Sequence, residues 1–288
     1  MKLRIRRLSY PLGAEITGLD IREALDEGAV AAIRAAFLEH CVLLFRGVAL
    51  TQAQHVAFSR RFGDLEKTPE FRTRDRVPAH PEILLVSNRP RPGESIRAYV
   101  GEGWHSDRSN TTRPAMASLL RAAEIPEVGG DTMFSNLYLA YETLSDGMKK
   151  MIAGLEGVHM LDVPRQVDTS TAERAAETRR SNITAQPLVR VHPETGRKAL
   201  FVGEHKLKRI AGMSEEEGRP LIKFLCAHAA RAQFIYRHRW QQDDLLMWDN
   251  RCTNHLAVYD FDRTKIRHME RTTVIGTPSG YPYAGPLS

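Results

Sequence analysis

Residues 188–202 read LVRVHPETGRKALFV, and this stretch decides the fold class. Leu188 to His192 and Lys198 to Val202 are β-prone runs joined by the turn residues Pro193-Glu-Thr-Gly196, which predicts an antiparallel hairpin. Downstream, strand-like segments recur at 233–240, 244–248 and 266–276, with one helix over 215–230 whose apolar residues include Leu221, Ile222, Phe224 and Leu225. Upstream, residues 14–21 alternate like a half-buried strand. Cys41-Val-Leu-Leu-Phe45, ended by Arg46-Gly47, reads as a buried one, and Ile83–Val86 and Thr132–Phe134 add two more. Helical spacing covers 23–40, 51–62 (Thr51 as cap, Gly63 as stop) and 137–155. Many strands, few helices and no β-α alternation predict a mainly β antiparallel barrel or jelly roll with helical insertions. The polar stretch 163–185 has no steady period, and a long irregular insertion of this kind is expected to form an active-site lid. No internal repeat or linker divides the chain, so one domain over residues 1–288 is expected.

Composition narrows the class further. The chain has 41 Lys+Arg against 35 Asp+Glu, a net charge of +6, with 42% hydrophobic residues, which is the make-up of an ordinary folded protein and excludes disordered, collagenous and coiled-coil classes. Basic residues come in pairs and triplets, such as Arg179-Arg180, too short for a nucleic-acid arm, so no nucleic-acid partner is expected. No apolar run approaches the roughly 20 residues that a membrane span needs, and the start MKLRIRRLSYPLG is no secretory signal. Three cysteines far apart (Cys41, Cys226, Cys252) form no disulfide framework or zinc spacing; a cytoplasmic setting is expected.

Two segments concentrate metal-ligand chemistry. In Gly103-Trp-His-Ser-Asp107, residues two apart on an extended chain project to one side, so His105 and Asp107 can reach one ion. In Trp248-Asp-Asn-Arg-Cys-Thr-Asn-His255 a second histidine follows a strand end. Two imidazoles and a carboxylate on one face of an iron leave open positions, the pattern of non-heme Fe(II) oxygenases. His-x-Asp alone is a weak signal among eleven histidines, most of which are surface or core residues. A third segment changes the odds. In RHMERTTVIG (267–276), Arg267 and Arg271 point the same way on a strand, and two guanidinium groups facing one interior need an anion. On an exposed barrel face both would simply meet water.

WHSD (104–107), GGDT (129–132), WDNRCTNH (248–255) and RHMERTTVIG (267–276) resemble the signature segments of the taurine dioxygenase superfamily of Fe(II)- and 2-oxoglutarate-dependent dioxygenases. The likeness extends through GAEITGLDI (13–21), CVLLFRG (41–47) and HPETGRKALFVGEH (192–205). It implies a double-stranded β-helix, the cupin-like jelly roll, and Fe(II) held by His105, Asp107 and His255. Thr132 and Arg267 are implied to bind the distal carboxylate of 2-oxoglutarate. Arg271 is implied to bind the acid group of the prime substrate or the near carboxylate of the co-substrate. Such enzymes consume 2-oxoglutarate and O2 and release succinate and CO2 as a substrate C–H bond is hydroxylated. Asp107 points to hydroxylation, since related halogenases lack this carboxylate. Homo-oligomers, dimers or tetramers, are the rule by analogy.

The pocket departs from taurine dioxygenase itself. Aligned through RFGDLEKTP (61–69), Thr68 replaces a sulfonate-binding histidine, Gly101 a substrate-contacting asparagine, and Arg165 and Lys206 two aromatic positions. Leaving taurine's polar groups unpaired would cost about 1–3 kcal/mol each, so taurine is not the expected substrate. FIYRHRW (234–240) and MWDNRC (247–252) look closer to the aryloxyalkanoate (2,4-dichlorophenoxyacetate) dioxygenases. A small anionic substrate is expected: an aryloxyalkanoate, sulfonate, sulfate ester or similar carboxylate, with C–O, C–N or C–S cleavage after hydroxylation. Arg165 and Lys206 either meet its acid group or point to solvent. Two other classes stay open: a jelly-roll metal enzyme without redox chemistry, and a non-catalytic 2-oxoglutarate or anion binder. The Thr132–Arg267 pair argues against the first and the intact triad against the second.

Overall fold

The computed structural model describes residues 3–70, 75–90, 103–161 and 183–286. In chain order its elements are β1 (Arg4–Arg7), β2 (Ala14–Thr17), α1 (Glu27–His40), β3 (Val42–Phe45), α2 (Gln52–Arg60), β4 (Arg76–Val77), β5 (His80–Ser87), β6 (Ala115–Glu124) and β7 (Thr132–Asn136). There follow α3 (Leu137–Glu142), α4 (Asp146–Ile152), β8 (Glu156–Met160), β9 (Ile183–Pro187), β10 (Val189–Val191), β11 (Lys198–Leu200) and β12 (Leu207–Ile210). The chain ends with α5 (Glu215–Ala229), β13 (Ile235–His238), β14 (Leu245–Asp249), β15 (Thr253–Ala257), β16 (His268–Ile275) and β17 (Tyr281–Pro282).

An eight-stranded sheet in the order β1-β2-β3-β14-β6-β16-β5-β4 faces a smaller sheet, β13-β7-β15. This is the jelly roll. The chain crosses between the sheets after β14: a tight turn at Asn250–Cys252 carries it into β15, which pairs antiparallel with β7. The central strands β3 and β14 are buried on both sides, which explains why 41–45 is a continuous run instead of an alternation. Val42, Leu44, Leu246 and Trp248 join the inner core, whereas Leu43, Phe45, Leu245 and Met247 pack outward with Ile33 and Phe37 of α1 and Phe58 of α2. Each such side chain removed from water contributes about 1.5–3 kcal/mol.

Sequence reading finds the hairpin, with Val189 opposite Leu200, and the α2 start, where Thr51 and Gln54 form a capping box. Other boundaries shift. The strand expected over 14–21 ends at Thr17, and the first helix starts at Glu27, capped by Asp26. The single helix expected over 137–155 is two: α3 stops at Thr143, and Ser145 opens α4 by accepting from Met148 N. The lid expected over 163–185 lies mostly outside the described residues, and its last three are not lid, because Ile183–Pro187 pairs with β8.

Candidate active site

His105 and His255 form a β-bridge, each N–H donating to the other's carbonyl at 3.1 and 2.8 Å. This reciprocal pair ties the WHSD segment to β15 and brings the two rings to 4.2 Å between centroids. Local geometry then fixes the ring. His105 Nδ1 lies 2.9 Å from the carbonyl of Gly103, so it carries the proton and leaves Nε2 as a free lone pair. Gly103 has φ +83°, and a Cβ there would meet His205 at 3.3 Å, so the turn that presents this carbonyl needs glycine.

Asp107 completes the group. Ligand atoms of His105, Asp107 and His255 all lie within 4.8 Å of one another, and all three residues are buried. The Asp107 carboxylate accepts from Arg271 on Oδ1 and from Ser118 Oγ on Oδ2, both at 2.7 Å, and its N–H donates to Asn250 Oδ1 at 3.0 Å. Asn250 is itself held by Trp248 Nε1 and donates to Ser118 Oγ. Burial would raise the Asp107 pKa, but Arg271 and the nearby His255, His105 and Lys206 outweigh it and hold the carboxyl ionised, well below the usual range. Burial pushes both imidazoles the other way, His105 well down and His255 to about 4, so both are neutral bases at pH 7. Neutral imidazole and ionised carboxylate are the forms that bind metal. With two nitrogen donors and one oxygen donor, and with His255 Nε2 3.8 Å from Asp107 Oδ2, the set fits Fe(II).

A second buried polar group, Arg267 with Thr132, has the chemistry to hold a carboxylate. Arg267, 1% exposed, donates from Nε to the Gly130 carbonyl at 2.9 Å, and its NH2 lies 3.4 Å from Thr132 Oγ1. Trp240 Nε1 also donates to Thr132 Oγ1, at 3.0 Å, so this hydroxyl's own proton is directed elsewhere and suits a carboxylate oxygen. Burial pulls the Arg267 pKa down to about 9, still cationic at neutral pH. Gly130 has φ +71° and would bring a Cβ to 3.1 Å from Arg267 Cδ, so glycine is required for the arginine to lie flat. Arg267, just ahead of β16, and Arg271 within it flank Met269, which lies in the inner core, in keeping with their spacing.

Of the expected substrate residues, Arg271 pairs with Asp107, and the others are placed as follows. Thr68 is buried against β5, with its N–H on Pro81 O at 2.7 Å and its hydroxyl in long contact with Ile83 O at 3.5 Å. Gly101 and Arg165 lie outside the described residues. Lys206 is 7% exposed, its Nζ 3.4 Å from Ser106 O, and so does not point to solvent. A second metal-like group, His192, Asp249 and Cys252, is spent on structure. His192 Nδ1 accepts from two backbone N–H groups, its Nε2 faces Asp249, and Arg251 pairs with the same carboxylate at 2.6 Å. Sequence reading misses Ser118, Trp240 and the part played by Asn250. Asn250 and Trp240 at least lie in quoted motifs, whereas a serine on a central strand carries no spacing signal.

Fold and site together define a non-heme Fe(II) enzyme with a binding place for 2-oxoglutarate. The family profile "Taurine catabolism dioxygenase TauD, TfdA family" matches residues 4–273. The chain is 34% identical over 279 residues to the alpha-ketoglutarate-dependent 2,4-dichlorophenoxyacetate dioxygenase of Cupriavidus pinatubonensis, covering 92% of this chain and 96% of that one. It is also 34% identical to an alkylsulfatase of Acinetobacter baylyi, covering 96% and 86%. A crystal structure of AAD-2 in complex with Mn(II) and N-oxalylglycine superposes with a TM-score of 0.84 at 32% identity, covering 98% of this chain and 100% of that one. The chain belongs to the TauD/TfdA dioxygenase family. It is a 2-oxoglutarate-dependent dioxygenase that uses Fe(II), 2-oxoglutarate and O2.

Proposed function

We propose that the chain hydroxylates a small organic acid of the aryloxyalkanoate or sulfate-ester kind, with His105, Asp107 and His255 holding Fe(II), Thr132 and Arg267 holding the far carboxylate of 2-oxoglutarate, and Arg271 meeting the acid group. Bound Fe(II) supplies the place where 2-oxoglutarate and O2 react. The protein's own residues do the rest. Ser118 and Asn250 hold Asp107 in place, the Gly103 carbonyl fixes the His105 tautomer, and the buried Arg267–Thr132 pair orients the co-substrate. The observation that carries the acid-group reading is Arg271: only 17% of its side chain is exposed, it is aimed at a carboxylate that the metal also uses, and its buried Nε has no hydrogen-bond partner among the described residues. A guanidinium so placed is best answered by an oxyanion. When the carbon hydroxylated bears oxygen, the product collapses to an aldehyde or ketone and a released fragment.

One domain over residues 1–288, a cytoplasmic setting, and a homodimer or homotetramer with no nucleic-acid or membrane partner complete the proposal. No helix among the described residues is long and apolar enough to cross a membrane. The test is succinate formation under air with Fe(II), ascorbate and 2-oxoglutarate, across aryloxyalkanoates, sulfate esters, sulfonates and uncharged analogues. Succinate that rises with acids but not with their uncharged analogues supports the reading. Equal stimulation by both, or by neither, overturns it.

A further inference from the structure

The guanidinium of Arg267 takes its tilt from the Gly130 carbonyl, which accepts from Nε at 2.9 Å. That carbonyl lies in a stretch with little stiffness of its own, because Gly129 and Gly130 are successive glycines with φ of +79° and +71°. What holds it comes from outside the site. The Gly130 N–H donates to Asp260 Oδ1 at 3.0 Å, and the Asp131 carbonyl accepts from Val258 N at 2.9 Å. Arg237, on β13, closes the arrangement: its Nε donates to Asp131 Oδ2 at 2.6 Å and its Nη2 pairs with Asp260 Oδ2. Since β7 lies between β13 and β15, this arginine spans the start of β7 and ties the segment before it to the one after β15. Asp131 and Asp260 place like charges on one guanidinium; without it they repel and draw Gly130 away from Arg267. Burial would raise the Asp260 pKa, but the Gly130 N–H and Arg237 outweigh it and hold the carboxyl below the usual range, in the ionised form that accepts. The side chains of Arg237 and Asp260 are 45% and 39% exposed, so the pair adds little to stability, and its effect is on position.

We propose that Arg237 and Asp260 are positioning residues for 2-oxoglutarate: through Gly130 they set the guanidinium of Arg267, and with it the affinity for the far carboxylate of the co-substrate. The inference rests on the reading that Arg267 and Thr132 hold that carboxylate. A guanidinium held at the right tilt before the ligand arrives loses less freedom on binding it, which is where the affinity comes from.

The test uses the full chain loaded with Mn(II) and compares 2-oxoglutarate with 2-oxopentanoate, which has a methyl group in place of the far carboxylate. In calorimetric titration, Asp260→Ala, which takes the acceptor from the Gly130 N–H, is expected to bind 2-oxoglutarate about tenfold more weakly and Arg237→Gln about fivefold more weakly, with 2-oxopentanoate and Mn(II) affinities within about twofold of wild type. Asp260→Asn keeps an acceptor oxygen without the charge and is expected to stay within about threefold of wild type. In turnover with Fe(II), KM for 2-oxoglutarate rises by the same factors while kcat holds. Equal losses for the two 2-oxo acids, or a fall in Mn(II) affinity, mark the pair as general scaffolding and overturn the inference; so does unchanged 2-oxoglutarate binding in both Asp260→Ala and Arg237→Gln. Arg267→Lys and Thr132→Val separate the inference from the reading beneath it. If these two leave the preference for 2-oxoglutarate over 2-oxopentanoate intact, the far carboxylate is held elsewhere and both fall. If they abolish the preference while Asp260→Ala and Arg237→Gln keep it, the inference alone falls. Should Asp260→Ala not fold, Arg237→Gln carries the same measurements.

Discussion

In the proposed metal centre three side chains hold the ion, but much of their placement comes from residues that do not reach it. Ser118 donates to Asp107 Oδ2 and accepts from Asn250, so it fixes one carboxylate oxygen from a neighbouring strand. Such supporting groups tune affinity by about 10- to 100-fold. Ser118→Ala is therefore expected to weaken Mn(II) binding about tenfold and leave thermal stability within about 1 kcal/mol, read by calorimetric titration and by urea unfolding. Unchanged Mn(II) affinity would mean that Arg271 and Asn250 alone suffice to set the carboxylate. The difference in legibility has a physical basis. His105, Asp107 and His255 announce themselves because metal-binding residue types lie close together in sequence or beside other marked residues. Ser118 and Trp240 reach the site through strand pairing, Ser118 lying opposite both Trp248 and Thr273, and no local pattern records a partner more than a hundred residues away.

Among the elements, β6 shows most clearly where local reading ends. Its sequence, AMASLLRAAE, is built from strong helix formers, and neither a strand alternation nor a turn marks it. It is nevertheless a central strand, between β14 and β16, with Ala117 and Leu119 in the outer apolar cluster and Leu120 and Ala122 in the inner one. Burial on both faces erases the period of two, and small alanines let flanking layers approach. Tertiary pairing decides the conformation. β3 and β14 are also buried on both sides, yet their β-branched and aromatic residues make them readable. If β6 is held by packing and not by propensity, truncating its outer face must be costly. Leu119→Ala is expected to lose about 2–5 kcal/mol in urea unfolding, the range for a fully buried leucine. A loss below about 1 kcal/mol would place the stabilisation of β6 in its backbone ladder instead.

Over the whole molecule, the positive net charge is less informative than where cations and histidines are buried. The arginines that matter, Arg251, Arg267 and Arg271, are named by their partners, while the surface pairs, such as Arg22 with Asp20, contribute little. Buried neutral histidines give the fold a defined response to acid. His55 on α2 is fully buried and meets Thr272 Oγ1 at 3.3 Å, with no hydrogen-bond partner on Nδ1 among the described residues. Burial lowers its pKa to about 4, with Glu270 opposing and Arg121 assisting. The folded state thus releases the proton more readily than the unfolded chain, whose histidine titrates near 6.5. Above about pH 6.5 both states are neutral at this ring and His55 contributes no pH dependence. Between 6.5 and 4 the unfolded chain binds the extra proton, so stability falls as pH falls, by about 1.4 kcal/mol per unit and about 3 kcal/mol in all. Below about 4 the slope from this group vanishes. Urea midpoints of wild type and His55→Gln, measured from pH 8 to 4, are expected to converge in slope above 6.5 and to diverge below it, the variant losing stability more slowly by about one proton's worth. Parallel curves throughout would show that His55 titrates in the folded protein as it does in the open chain, and that its burial is relieved by movement of α2 away from β16.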